Sequence, residues 1–125
     1  MKKENENIHK YPTDDFKIAQ KFSQQLKNEL GDFIMGTIIF GSSARRQTTK
    51  ESDIDVLVVS NDISFQINDA LVESYRIIIE SIIANTSSKL HVTSMTYTSF
   101  WEYVKAGDPV AVNILRDGAG IIHTG

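Results

Sequence analysis

An α/β (α+β) fold, built as a small mixed sheet of about four strands with helices packed on it, is what the order of elements in this sequence predicts. Three observations carry that prediction. Apolar runs of strand length alternate with segments whose apolar residues recur at helical spacing. One run, "DIDVLVVS" (53–60), is continuously apolar after two acids, the pattern of a strand covered on both faces. Helix start and stop signals fall between the runs rather than inside them.

Taken in order, Thr13 is placed to cap a first helix, with Asp14 and Asp15 at its positive end. Phe16, Ala19, Phe22, Leu26 and Leu30 then recur along one face, and Gly31 supplies a stop. "FIMGTIIF" (33–40) is a buried strand, and 53–60 is the second. Residues 65–84 put Ile67, Leu71, Tyr75, Ile78 and Ile82 on one helical face. "KLHVTSMTY" (89–97) is a third strand, rich in β-branched residues. Ser99 and Glu102 have capping-box spacing for a short helix through Ala106, closed by Gly107. Asp108 followed by Pro109 starts another helix. "RDG" (116–118) makes a turn into a last strand over 119–124.

Composition narrows the class. The 125 residues suffice for one domain with one sizeable core, and 41% hydrophobic content is that of a globular chain. A net charge of −3 and a pI of about 5.5 argue against nucleic acid as the main partner, since a broad basic face is missing. The absence of cysteine excludes disulfides and thiolate metal sites. "MKKENENIHK" has no apolar core of a secretory signal, and no apolar stretch reaches membrane-spanning length. The expectation is a cytoplasmic protein with no membrane partner, a loose polar leader at 1–12 and one domain at 13–125.

The chemistry gathers in "FGSSARRQTTKESDIDVLV" (40–58). Asp53 and Asp55 are two apart at the mouth of a strand, so both point to one face, with Cα atoms roughly 7 Å apart at about 3.3 Å per residue. Two hard oxygen donors at that spacing suit Mg²⁺, which fills its remaining positions with water and phosphate oxygens. Gly41 lets a backbone approach a phosphate closely. The Ser42 and Ser43 hydroxyls and the N–H groups of the turn can donate to phosphate oxygens. Arg45, Arg46 and Lys50 add positive charge in the same loop. Any one of these is usually a plain turn, a solvated strand end or surface charge. Together they form a kit for phosphoryl or nucleotidyl transfer. For one ligand to meet both halves, the first two strands must be antiparallel neighbours.

The stretch "GSSARRQTTKESDID" resembles the Gly-Ser, ten residues, Asp-x-Asp signature of the DNA polymerase β-like nucleotidyltransferases, most closely the minimal nucleotidyltransferase (MNT) branch. The tail "TSFWEYVKAGDPVAVNILRDG" is similar to that branch as well. The resemblance implies the palm fold of that superfamily, an NTP triphosphate, ATP by expectation, held by Gly41 and Ser42, and Mg²⁺ on Asp53 and Asp55. It implies transfer of a nucleoside monophosphate to an acceptor hydroxyl, in some relatives a tyrosine of a HEPN-type toxin. A second reading is a catalytically weak, nucleotide-binding antitoxin-like partner of such a toxin. A homo-oligomer is also compatible with the sequence.

One departure bears on activity. The family pattern has a third carboxylate on the strand after the intervening helix, and "KLHVTSMTY" has none. His91 stands about there, with metal ligand, base and plain strand residue all open to it; Mn²⁺ accepts nitrogen more readily than Mg²⁺ does. Glu102 and Asp108 are acids explained by helix capping. Trp101, Tyr97 and Tyr103 are expected in the core, and Arg116 in a solvent-facing turn. His9 and His123 have no visible partner. The chain closes on a strand where relatives often continue into further helices, so a piece of a longer protein and a pared-down member are both open.

Overall fold

The computed structural model describes residues 13–40 and 53–123. Helix α1 (Thr13–Leu30) begins at Thr13 itself, which is therefore helical rather than the residue ahead of the helix. Its stripe is as the spacing predicts: Ala19, Phe22 and Leu26 are fully buried, and Phe16 and Leu30 pack at the margins. Gly31 closes it at φ 54, a left-handed conformation that a side chain would oppose. A 3-10 turn (Gly31–Phe33) takes up the first residue expected in the strand, so β1 spans Ile34–Phe40.

Strand β2 (Ile54–Ser60) pairs antiparallel with β1, from Ile34 opposite Ser60 to Phe40 opposite Asp55. Helix α2 (Asp69–Thr86) then carries the chain across to β3 (Leu90–Thr96), which pairs parallel with β2. A parallel neighbour needs such a crossover. Helices α3 (Tyr97–Lys105) and α4 (Pro109–Asp117) follow, and β4 (Ala119–His123) adds antiparallel to β1. The sheet is mixed, in the order β3-β2-β1-β4.

Two helix pairs sandwich this sheet. On one face α1 and α2 cover Ile39, Ile54, Val56, Val58 and Leu90. On the other, Phe100 of α3 and Ala111 and Ile114 of α4 cover Leu57 and Val59. Central strand β2 is thus buried on both sides, which is why its sequence is continuously apolar. Each such aliphatic side chain contributes about 1.5–3 kcal/mol by burial.

Several boundaries differ from the sequence expectation, each for a local reason. Helix α2 starts at Asp69 rather than 65, because the Asn68 side chain accepts from Leu71 N–H at 2.8 Å. Ile67 therefore lies ahead of the helix, while Ile79 joins Ile82 in the core. The cap of α3 is Thr96, whose hydroxyl accepts from Ser99 N–H at 3.2 Å, so Ser99 and Glu102 form no capping box. Strand β3 passes straight into the helix, and its last threonine reaches the free N–H first. Asp108 does cap α4, accepting from Ala111 N–H at 3.0 Å, with Pro109 in the first turn. Arg116 and Asp117 are the last turn of α4, not a loop, because Ala111 and Ile114 hold the helix on the sheet. Gly118 ends it where a Cβ would stand 2.6 Å from both Ile114 O and Ile38 Cγ2. Tyr103 is 49% exposed, since the buried stripe of α3 runs through Tyr97, Phe100, Trp101 and Val104. No helix among the described residues is long and apolar enough to cross a membrane.

Among the described residues, polar side chains also fasten helices to strands. Thr37 Oγ1 donates to Ser23 Oγ at 2.7 Å, and both residues are fully buried. Ser23→Ala is expected to cost about 1–3 kcal/mol, because the Thr37 hydroxyl is left unsatisfied. The Ser23→Ala/Thr37→Val pair should cost less than the sum of the single changes in urea unfolding; additive losses would show that the two hydroxyls are not coupled.

Another such tie joins Tyr75 Oη and Ser94 Oγ, 2.6 Å apart. Burial pushes the Tyr75 phenol up to about 12, partly offset by the Ser94 hydrogen bond. The folded protein therefore keeps a proton that the unfolded chain releases near pH 10. Stability should fall as pH rises from about 10 towards 12, and Tyr75→Phe should flatten that fall in denaturant titrations at stepped pH. An identical slope in the variant would contradict this assignment.

Candidate functional site

The last residue of β1, Phe40, lies opposite Asp55 on β2. The chain that leaves β1 and the chain that returns to β2 therefore meet at one end of the sheet, the antiparallel arrangement the sequence requires. The phosphate-turn candidates Gly41, Ser42, Ser43, Arg45 and Arg46, with Lys50, lie outside the described residues.

At this end the strand changes character. Ile54 is buried against α1 and α2, so the period of two turns Asp53 and Asp55 towards the α3/α4 face. The cover on that face stops short of them. Leu57 is 1% exposed beneath α3 and α4, whereas the Asp55 side chain, two residues earlier, is 23% exposed. Asp53 is exposed, and the next residue is tied down by Ile54 N–H donating to Lys89 O at 2.8 Å. Among the described residues, the carboxylates thus stand at the open end of a strand that is otherwise sealed.

His91 comes to the same place by register. Asp55 pairs with His91 in the parallel β2–β3 ladder, and His91 Nδ1 lies 3.1 Å from Asp55 Oδ1. The imidazole is 65% exposed, so it faces the open end rather than the core. Sequence alone places His91 near the third-acid position; the contact with Asp55 follows only from strand order.

Lys89 Nζ meets Asp15 Oδ1 at 3.2 Å, a pairing across 74 residues that no local pattern signals. Asp15 is buried, so this ion pair fastens the first turn of α1 to the lead-in of β3, next to the backbone of Ile54. Other tempting residues belong elsewhere. Tyr97 and Trp101 stack edge to face at 6.2 Å in the core beneath α3, where Trp101 Nε1 is buried with no hydrogen-bond partner among the described residues. Glu102 is exposed on α3 and caps nothing through its side chain. Arg116 Nη2 donates to Asn113 Oδ1 at 2.6 Å along α4. A groove of about 380 Å³ between α1 and α2, lined by Gln25, Glu29, Ile77 and Asn85 among others, opens on the opposite face from Asp55.

Among the described residues, no three His, Cys, Asp or Glu side chains gather closely enough to hold a metal ion alone. A carboxylate pair at the end of a strand, Asp53 exposed and Asp55 part-exposed, fits Mg²⁺ nonetheless, because that ion takes one or two carboxylates and completes its shell with water and phosphate oxygens.

Comparison with known proteins bears on what this end of the sheet is for. The nucleotidyltransferase-domain family model matches residues 17–118, from α1 through the end of α4. The chain belongs to this nucleotidyltransferase family. It thereby joins the polymerase β-like superfamily expected from the sequence. No curated protein matches. A Sulfolobus solfataricus crystal structure described as a nucleotidyltransferase superposes with a TM-score of 0.52 at 21% identity, covering 68% of this chain and 69% of that one. At that identity the likeness speaks for the fold. The nucleotidyltransferase match includes β1, both aspartates and His91, so the site just described lies wholly within it.

Proposed function

We propose that the domain transfers a nucleoside monophosphate, AMP from ATP, to an acceptor hydroxyl and releases pyrophosphate. In that reaction the acceptor oxygen bonds to the α-phosphorus, the bond to the pyrophosphate oxygen breaks, and the hydroxyl proton passes to water. The observation that supports this reading most is the placement of Asp53 and Asp55 at the open end of β2, with Asp55 opposite Phe40, the residue that precedes Gly41 and Ser42 in the chain. Gly41 and Ser42, with Ser43, would hold the triphosphate through backbone N–H groups and hydroxyls. Arg45 and Arg46 would balance its charge. Asp53 and Asp55 would hold Mg²⁺, which when bound polarises phosphate oxygens and screens their charge from the attacking oxygen. The acidic pI fits an acceptor on a protein better than on nucleic acid. We place this reaction in the cytoplasm and in the MNT branch, with a HEPN-type toxin as the acceptor protein.

A second reading is supported by one observation. An imidazole, not a carboxylate, faces Asp55 from β3. A domain that binds Mg·ATP and its protein partner but turns over slowly would have this site.

Mg·ATP should raise the melting temperature by several degrees, since ligand at about 100 times its Kd adds about 2.7 kcal/mol to the folded state. Asp53→Asn with Asp55→Asn should abolish the rise in thermal-shift measurements. A double variant that responds like the wild type would remove these carboxylates from the site. Label from α-phosphate-labelled ATP on the partner protein separates the two readings: transfer supports the enzyme, and a thermal shift without transfer supports the binding partner.

A further inference from the structure

We propose that a second copy of this chain joins at β3, the two sheets meeting edge to edge about a two-fold axis at Thr93. The proposal stands on the sheet alone and does not draw on the reading of Asp53 and Asp55.

Strand β3 ends the sheet in the order β3-β2-β1-β4, and among the described residues no strand lies beyond it. Ile54 pairs with Leu90, and Ile54 N–H donates to Lys89 O. In a parallel ladder that phase turns the backbone groups of His91, Thr93 and Met95 towards β2. Those of Val92 and Ser94 therefore point outwards. A row of such groups is a template for another strand.

Folded proteins blunt their sheet edges with short strands, bulges, proline or charge. The far edge of this sheet is blunted: β4 has five residues, and its register against β1 breaks between Thr37 and Ile38. Strand β3 has none of these devices. It runs seven residues, "LHVTSMT", in unbroken register with β2, without proline, lysine or an acid. One edge is protected and the other is left to pair.

The strand also fits a copy of itself. Antiparallel pairing centred on Thr93 overlaps its whole length and sets Val92 opposite Ser94 of the second copy. Outward-pointing groups then meet outward-pointing groups, as a hydrogen-bonded pair requires. Thr93 meets Thr93, a favourable cross-strand pair, and no like charges stand opposite one another.

Seven residues fall short of the roughly 20–30 a side in a stable interface, so the helix layer must contribute. Helix α1 lies over β1 and β4, and the α1–α2 groove takes Ile77, Ser81 and Asn85. Helix α2 is tied to β3 by Tyr75 and Ser94. Its flank away from the groove, on the β3 side, carries Val72, Arg76 and Ile83 at helical spacing. Val72 is 51% exposed there, and the Arg76 charge is met by Glu73 and Glu80 on the same helix. The two-fold axis sets this flank against its own copy and covers Val72. It also sets Met95 of the second copy beside His91, so each copy walls the open end of the other's β2.

The test uses the full chain. Sedimentation equilibrium should show a dimer forming between micromolar and millimolar concentration. The chain has no cysteine of its own, so one introduced thiol reports one contact. Thr93→Cys should cross-link to a covalent dimer under mild oxidation, since opposed residues of a non-hydrogen-bonded pair have Cα atoms about 4.5 Å apart, within reach of a disulfide. His91→Cys, at an exposed position, should cross-link at least about tenfold more slowly, because the axis sets its two copies out of that reach. Thr93→Lys and Thr93→Glu should each be monomeric with unchanged circular dichroism, and their equal mixture should restore the dimer. A wild-type chain that stays monomeric throughout, or a dimer in which Thr93→Cys cross-links no faster than His91→Cys, would overturn the proposal.

Discussion

The antiparallel pairing of β1 with β2, which ends with Phe40 opposite Asp55, is the constraint on which the candidate site depends. It does two things at once. It makes β2 a central strand, with β1 on one side and β3 on the other, so Val56 through Val59 are sealed between two helix layers. It also brings Phe40, the end of β1, to the mouth of β2. A carboxylate further along β2 would be desolvated without compensation, at a cost of several kcal/mol. Acids are tolerated only where the helical cover stops, and Asp53 and Asp55 stand there.

Much of this architecture was legible because it is local. Strands β1 and β2 announce themselves as apolar runs, the stripe of α1 by its spacing, and α4 by Asp108-Pro109. The antiparallel pairing was legible too, although it is not local: a turn and two carboxylates that serve one ligand need adjacent strand ends. What escaped the sequence falls into two kinds. Some features turn on competition between near neighbours, such as Thr96 reaching the Ser99 N–H before any capping box can form, or Asn68 starting α2 four residues late. Tyr103 is of this kind as well, because a one-position rotation about α3 separates it from the stripe that buries Phe100. Others span the chain: Asp15 with Lys89, Ser23 with Thr37, and His91 with Asp55. Such partners are chosen by strand order and helix placement, which no window of sequence contains.

The nucleotidyltransferase family match and the geometry meet at a point of tension. The described residues supply a carboxylate pair suited to a hard cation, and beside it an imidazole hydrogen-bonded to Asp55. The parallel register makes this juxtaposition permanent, since moving His91 away from Asp55 would mean slipping β3 and exposing Leu90 and Val92. The same rigidity that seals β2 therefore fixes the composition of the site. An imidazole rather than a carboxylate beside Asp55 is the point on which the two readings of this domain divide.

The central claim is that nucleotide and metal bind at the open end of β2. Paramagnetic broadening of assigned amide resonances by Mn²⁺ with a non-hydrolysable ATP analogue tests it most directly. The account predicts the strongest losses at Phe40, Asp53, Asp55 and His91, with the α1–α2 groove around Gln25 and Asn85 unaffected. Broadening centred on that groove, with the mouth of β2 sharp, would contradict it.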